Sequence, residues 1–317
     1  RKPQMRNEYF FRVAGLTFSV ILPGGLDAET LLPSFRPFRC GECPEGERIF
    51  RLLADTRPFA DDGKRAELLD ESSNDMGHVC LLRIPGGYRT EISYGPMDGG
   101  AHLMTVDTAF DDATAFLRVE DPSVGEVLSS MLRILYAQAA LGRDAVSVHA
   151  SCASLKGRGY LFLGKSGTGK STHSRQWLEA FPDCRLLNDD NPVLRIEDGM
   201  VAVYGTPWSG KTPCYRNERS PVAGIVRLQQ SGTNRFTPLE GPEAFAALLP
   251  SCSAIRQDIR LHDELCRILI GVTEQVPVGR LECLPDREAA RLCFESLYVR
   301  DAKTREVRDG LPENGGL

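Results

Sequence analysis

The run "YLFLGKSGTGKSTHSRQW", residues 160–177, constrains the fold more than any other stretch of the chain. A short apolar strand pattern leads into Gly164, Lys165, Ser166, Gly167, Thr168, Gly169, Lys170 and Ser171, which satisfy the spacing G-x-x-x-x-G-K-[ST]. Glycines at those positions let the backbone wrap an anion and turn its N–H groups toward it. His173, Trp177 and Phe181 then recur at helical spacing, so a helix follows, and its N-terminus adds the positive end of its dipole to the same place. Strand, glycine loop and helix in this order predict an α/β core whose loop holds a polyphosphate. Lys170 is expected to contact the β- and γ-phosphates and the Ser171 hydroxyl to ligate Mg2+, with Thr172 completing the nucleotide-binding run.

A second constellation is "LLNDDNP", which places Asp189 and Asp190 directly after two leucines that read as the end of a strand. Ligands of open α/β sheets gather at the carboxyl ends of strands, so paired aspartates there can meet the glycine loop. One carboxylate can hold Mg2+ and the other can take a proton. Asp-Asn-Pro alone also makes a surface turn, and only the glycine loop favours the functional reading.

Two further segments carry candidate groups. His149, in "VSVHAS", is expected on the strand that pairs with the loop strand, as a buried core histidine or as a site residue. "YGTPWSGKTPCYRN" presents Lys211 in a loop stiffened by Pro207 and Pro213 and flanked by Trp208 and Tyr215. Such a loop suits a clamp on the substrate or the γ-phosphate, and a solvated lysine in a tight connection is the plainer alternative.

The rest of the chain is read for organisation. The 317 residues suggest two domains: a β-rich N-terminal domain over 5–120, a connecting helix over 121–142, a catalytic-type domain over 143–299, and a polar, disordered tail over 300–317. "YFFRVAGLTFSVILP" is strand-like, "HVCLLRIPGGYRTEISY" reads as two strands around a Gly-Gly turn, and "ADDGKRAELLDESSNDMG" between them is expected to loop at the surface. A net charge of −5 argues against nucleic acid or an anionic membrane as partner. No apolar run approaches the roughly 18 residues of a membrane span, and the N-terminus lacks a signal-peptide layout, so a cytoplasmic protein is expected. Cys80, Cys152, Cys266 and Cys293 sit in apolar patterns, as small hydrophobes. "CGEC" alone has ligand-like spacing, but no second pair follows to complete four ligands, and a turn is expected there.

Together, "VHASCASLKGRGYLFLGKSGTGKSTHS" and "LLNDDNP" resemble the catalytic domain of the HPr serine kinase/phosphorylase family, whose core is related to the ATP-dependent phosphoenolpyruvate carboxykinases. The resemblance covers residues 145–215. It implies a fold class of α/β type, a P-loop kinase core of HPr kinase/PEP carboxykinase type with a β-rich N-terminal domain. It implies ATP and Mg2+ as cofactors and transfer of the γ-phosphoryl group to a hydroxyl on a protein, a peptide or a small molecule.

Carried over residue by residue, Lys170 and Ser171 match the phosphate lysine and magnesium serine, His149 the family's histidine, and Asp190 the base that deprotonates the acceptor; Asp189 then supports Mg2+. Members of the family assemble into hexamers, which implies a homo-oligomer. Two features depart from the pattern. Where the family has a metal-binding Glu, "MVAVYG" offers Ala202 and Val203, and the C-terminal third shows no match to the segment that docks HPr. A carboxykinase-like phosphotransferase and a non-catalytic ATP sensor are the alternatives.

Overall fold

The computed structural model describes residues 6–60, 63, 65–74, 77–94 and 100–309, and the chain divides into two compact units. The first is Arg1–Arg143 with Ile255–Asp258, the second Asp144–Ala254 with Ile259–Leu317.

In the first unit, β1 (Arg6–Val13) and β2 (Leu16–Pro23) form a hairpin, joined by Ala14 and Gly15, both at positive φ. The short helix α1 (Ala28–Leu31) is capped by the Asp27 carboxylate, which accepts from the Thr30 N–H at 3.1 Å. The strands β3 (Arg39–Cys40), β4 (Arg48–Asp55), β5 (Glu67–Asn74), β6 (Gly77–Ile84), β7 (Gly87–Ser93), β8 (His102–Asp107) and β9 (Asp112–Phe116) complete one sheet. Among the described residues its order is β3-β1-β2-β4-β9-β8-β7-β6-β5. β5 corrects the expectation of a loop within "ADDGKRAELLDESSNDMG". Among the described residues it pairs with β6 alone, at the sheet edge, where its polar side chains stay solvated and discourage edge-to-edge pairing.

The helix α2 (Val124–Ala139) was expected as a connector, but it belongs to the first unit. Val127, Leu128, Met131, Leu132 and Leu135 form its buried stripe. The ring of Tyr136 meets Phe18 at 5.9 Å, its hydroxyl donates to the carbonyl of Val13 at 3.0 Å, and Phe18 stacks on Phe50 at 4.7 Å. A side chain holding both an aromatic contact and a buried hydrogen bond docks the helix on its own sheet.

The second unit runs β10 (Ala145–Ser147), β11 (Ala150–Leu155), β12 (Arg158–Leu163), α3 (Lys170–Ala180), β13 (Arg185–Asp190), β14 (Val193–Glu197), β15 (Met200–Tyr204), β16 (Arg219–Gln230), β17 (Arg235–Leu239), α4 (Gly241–Leu248), α5 (Ile259–Gln275), β18 (Val278–Cys283) and α6 (Arg287–Asp309). β11 and β12 are an antiparallel hairpin, β13 lies antiparallel on the other side of β11, and β16 and β18 continue in parallel beyond β12. β12 and β13 therefore point the same way, and their carboxyl ends lie at the amino end of β11. The amino end of β16 also carries the smaller β15-β14-β10 extension.

Helices α3 and α6 cover one face of this sheet around Trp177, which touches Tyr160, Phe162 and Phe294. Gly224 of β16 lets α6 approach, since a Cβ there would stand 2.8 Å from the Leu297 side chain. The expected disordered tail is corrected over its first part: α6 continues to Asp309, held by the buried carboxylate of Asp301, which accepts from Arg158 at 2.6 Å and pairs with Arg305 at 3.2 Å. Residues 310–317 lie outside the described set. No helix among the described residues is long and apolar enough to cross a membrane.

Candidate functional site

The register of three strands assembles the site. Ala150, the first residue of β11, faces Leu163 of β12 on one side and Asp190 of β13 on the other. The residue before it, His149, is thereby set between the start of the glycine loop and the aspartates. His149 does not lie within a strand, as its sequence context suggested. It falls in the break between β10 and β11, where its N–H donates to the carbonyl of Ser251 at 2.7 Å while Val148 bonds to Pro192. That break frees the imidazole from the alternation of a strand.

The loop leaves β12 at Gly164 and enters α3 at Lys170. Gly167 and Gly169 take φ of +80° and +103°, conformations that cost an L side chain strain, and they fold the loop back over the start of the helix. The Thr168 hydroxyl and N–H both donate to the carbonyl of Lys165, at 2.7 and 3.1 Å, which braces the turn. No side chain caps α3. Free N–H groups and the positive end of a helix dipole at such a start suit an anion. Lys165, Ser166 and Gly167 are exposed on the loop and Thr172 half-buried on the helix.

Lys170 curls back toward the loop. Its Nζ donates to the carbonyls of Gly164 and Lys165, at 3.0 and 3.2 Å, and lies 3.0 Å from Nε2 of His149. On the far side of the ring, Nδ1 stands 3.0 Å from Oδ1 of Asp190. An ammonium has only hydrogens to give, so Nε2 carries the lone pair and Nδ1 the proton, and the three residues form one directed chain. Burial holds the Lys170 pKa below its usual value, against the opposing pull of Asp190 and Asp189.

Asp189 is buried, and the Ser171 hydroxyl donates to its Oδ1 at 3.0 Å. A hydroxyl and a carboxylate oxygen side by side are the hard donors that Mg2+ takes. The two residues therefore fit that ion. Asp190 has φ of 141°, a conformation rare for a side chain other than glycine.

The strain at Asp190 is held by residues that sequence reasoning missed. Asn188 is wholly buried, donates to Thr206 Oγ1 at 3.3 Å and to the carbonyl of Trp208 at 3.0 Å, and accepts from the N–H of Asn191 at 2.9 Å. Thr206 Oγ1 donates in turn to the carbonyl of Asn191 at 2.8 Å. The segment beyond β15 is thus laid over the aspartates, where Gly210 N–H donates to the carbonyl of Asp189. A Cβ on Gly210 would stand 3.0 Å from that oxygen and 3.2 Å from Cβ of Asp190. The signal in the sequence was the asparagine of "LLNDDNP" and the threonine of "GTPW", residues that look like turn formers until a fold buries them.

Lys211 follows Gly210 and is exposed. Among the described contacts it does not join Lys170, His149 or the aspartates. Trp208 of the same loop is buried, and Ala202 and Val203 on β15 are buried without a carboxylate at the position the resemblance reserves for one. On the side of the loop away from the aspartates, Arg227, Gln230 and Arg280 line a cleft of about 700 Å³ with residues 165–168. Gln230 donates to the carbonyl of Gly167 at 3.3 Å. Single polar residues within or at the end of an apolar strand carry no sequence signal.

No family model matches the chain, and no curated protein matches it. Among solved structures it is similar to the Hpr(Ser) kinase/phosphatase from Coxiella burnetii, at 14% identity over 51% of this chain and 94% of that one, with a TM-score of 0.32. The chain is a mixed α/β protein with large sheets.

Proposed function

We propose that the second unit is an ATP-dependent phosphotransferase that moves the γ-phosphoryl group to a hydroxyl, on a serine of a protein or peptide or on a small molecule. The observation that carries this reading is the directed chain Lys170, His149, Asp190 beside the Ser171–Asp189 pair, at the carboxyl ends of β12 and β13. The residues of the loop and the uncapped start of α3 bind the phosphates, and Lys170 stabilises charge on the γ-phosphoryl oxygens as it is transferred. Ser171 and Asp189 would hold Mg2+, which when bound neutralises charge on the β- and γ-phosphates. Asp190 accepts the proton of the acceptor hydroxyl; the new P–O bond forms as the bond from γ-phosphorus to the bridging oxygen breaks, and ADP leaves. His149 orients Asp190 through its Nδ1–H and is in turn held by Lys170.

The buried Ala202 and Val203 on β15 favour one second reading, an ATP sensor that binds without transferring. Incubating γ-labelled ATP and Mg2+ with a cell lysate, for wild type beside Asp190→Asn, separates the two. Label in a discrete protein or small-molecule fraction with wild type alone supports the kinase. ATP bound tightly by both with no label transferred overturns it in favour of the sensor.

A further inference from the structure

The outer strands of the first unit's sheet bring together three side chains of metal-binding type. Glu71 of β5 is in register with Cys80 of β6, and His78 lies two residues before Cys80 and so on the same face. The buried Val79 between them points to the other face. One oxygen of Glu71, one ring nitrogen of His78 and the sulfur of Cys80 all lie within 4.8 Å of one another. The separations are 3.2 Å from His78 Nε2 to Glu71 Oε1, 3.5 Å from Cys80 Sγ to His78 Nε2, and 3.9 Å from Cys80 Sγ to Glu71 Oε1.

These three edges can be compared with those of a tetrahedral site. With metal–nitrogen and metal–oxygen bonds of about 2.1 Å and a metal–sulfur bond of about 2.3 Å, neighbouring ligand atoms stand roughly 3.4 to 3.6 Å apart. The observed edges fall within about 0.3 Å of that range, so an ion fits with little movement of any side chain. The ring is also turned for it. Ser73 Oγ stands 3.1 Å from Nδ1 of His78, and a donor bond from Nδ1–H to that hydroxyl leaves the Nε2 lone pair toward Glu71 and Cys80. Glu91 of β7 is in register with Cys80 from the other side and is paired with Arg89 at 3.0 Å.

We propose that Glu71, His78 and Cys80 form a site for a divalent transition metal of the zinc class, with three protein ligands and one position open to solvent. Mixed nitrogen, sulfur and oxygen donors select such an ion over the Mg2+ suited to Ser171 and Asp189. The proposal is independent of the phosphotransferase reading, because it rests on other residues in the other unit.

The test titrates the whole chain, stripped by chelator and kept in excess Mg2+, with Co2+ and then with Zn2+. One equivalent of Co2+ should give a thiolate-to-metal absorption band that Zn2+ abolishes. Cys80→Ser should lose the band, Glu71→Gln and His78→Gln should each weaken binding at least about tenfold, and Ser73→Ala should weaken it about tenfold through the ring. All four changes are on partly or fully exposed side chains, and circular dichroism checks the fold. A double Cys40→Ser, Cys43→Ser variant should keep the band. The proposal is overturned by no band at micromolar Co2+, by a band that survives Cys80→Ser, or by one that disappears with Cys40 and Cys43.

Discussion

Lys170 donates through Nζ to Nε2 of His149 at 3.0 Å, and this bond settles which nitrogen of the ring carries the proton. The proton on Nδ1 then faces Asp190 at 3.0 Å. The lysine of the glycine loop and the carboxylate at the end of β13 are thereby tied through one imidazole, so the position of the carboxylate depends on the lysine.

Replacing His149 by Ala cuts that tie without removing either end. Loss of orientation at a reacting group costs on the order of 100-fold in rate. The expected result is a fall in kcat of about that size with little change in ATP affinity, measured by label transfer and by calorimetry. His149→Gln, which can still span donor and acceptor, should recover part of the loss; a variant with unchanged kcat would remove His149 from the mechanism.

Asn188 holds the segment that covers the aspartates. Asn188→Ala takes the acceptor from the N–H of Asn191, a buried group whose loss of a partner costs about 1–3 kcal/mol, while Thr206 and the carbonyl of Trp208 lose one donor each and keep their bond to one another. A lower urea midpoint accompanied by loss of transfer is expected. Gly210→Ala tests the same cover from the other side: its Cβ would press on the carbonyl of Asp189, so transfer should drop even where the fold survives.

His173 ties stability to pH. Its ring is buried, accepts from Trp177 Nε1 at 3.0 Å, and burial pushes its pKa down to about 4 from 6.5. The unfolded chain binds this proton more readily than the folded one. The stabilisation is therefore fully present above about pH 6.5 and is lost as pH falls toward 4. Between pH 7 and pH 5 the loss from this residue should be about 2 kcal/mol. His173→Gln keeps an acceptor for Trp177 without a titrating group, so its urea midpoint should fall less than the wild type's over the same interval.

Asp301 anchors the end of α6. Asp301→Ala removes the carboxylate that Arg158 bonds, at about 2 kcal/mol for a hydrogen bond to a charged group, and leaves Arg158 its bond to the carbonyl of Val222. Faster amide exchange confined to the part of α6 beyond residue 300 would accompany the loss; protection unchanged there would show that the ion pair does not hold the helix.

How much of this was legible beforehand follows from where the information is stored. The glycine loop, the strand before it and the helix after it are local patterns, and Lys170, Ser171 and the aspartate pair are candidates that such patterns single out. The hairpins β11–β12 and β6–β7 were also legible, because their turns carry glycine and their strands are apolar. β5 was missed, since an edge strand is polar by necessity and so reads as a loop. The end of α6 was missed because its stability comes from Arg158, more than a hundred residues away.

A glycine loop of phosphate-type spacing, a hydroxyl and two carboxylates can be read from the residues alone, because backbone freedom at glycine and side-chain chemistry are properties of single residues. The folded chain adds that His149 stands between Lys170 and Asp190, that Asn188 and Gly210 hold the covering segment, that Lys211 is exposed and joins none of these residues among the described contacts, and that Glu71, His78 and Cys80 share one face. Each of these depends on the register of paired strands, and register is set by the packing of the whole sheet rather than by any short stretch within it.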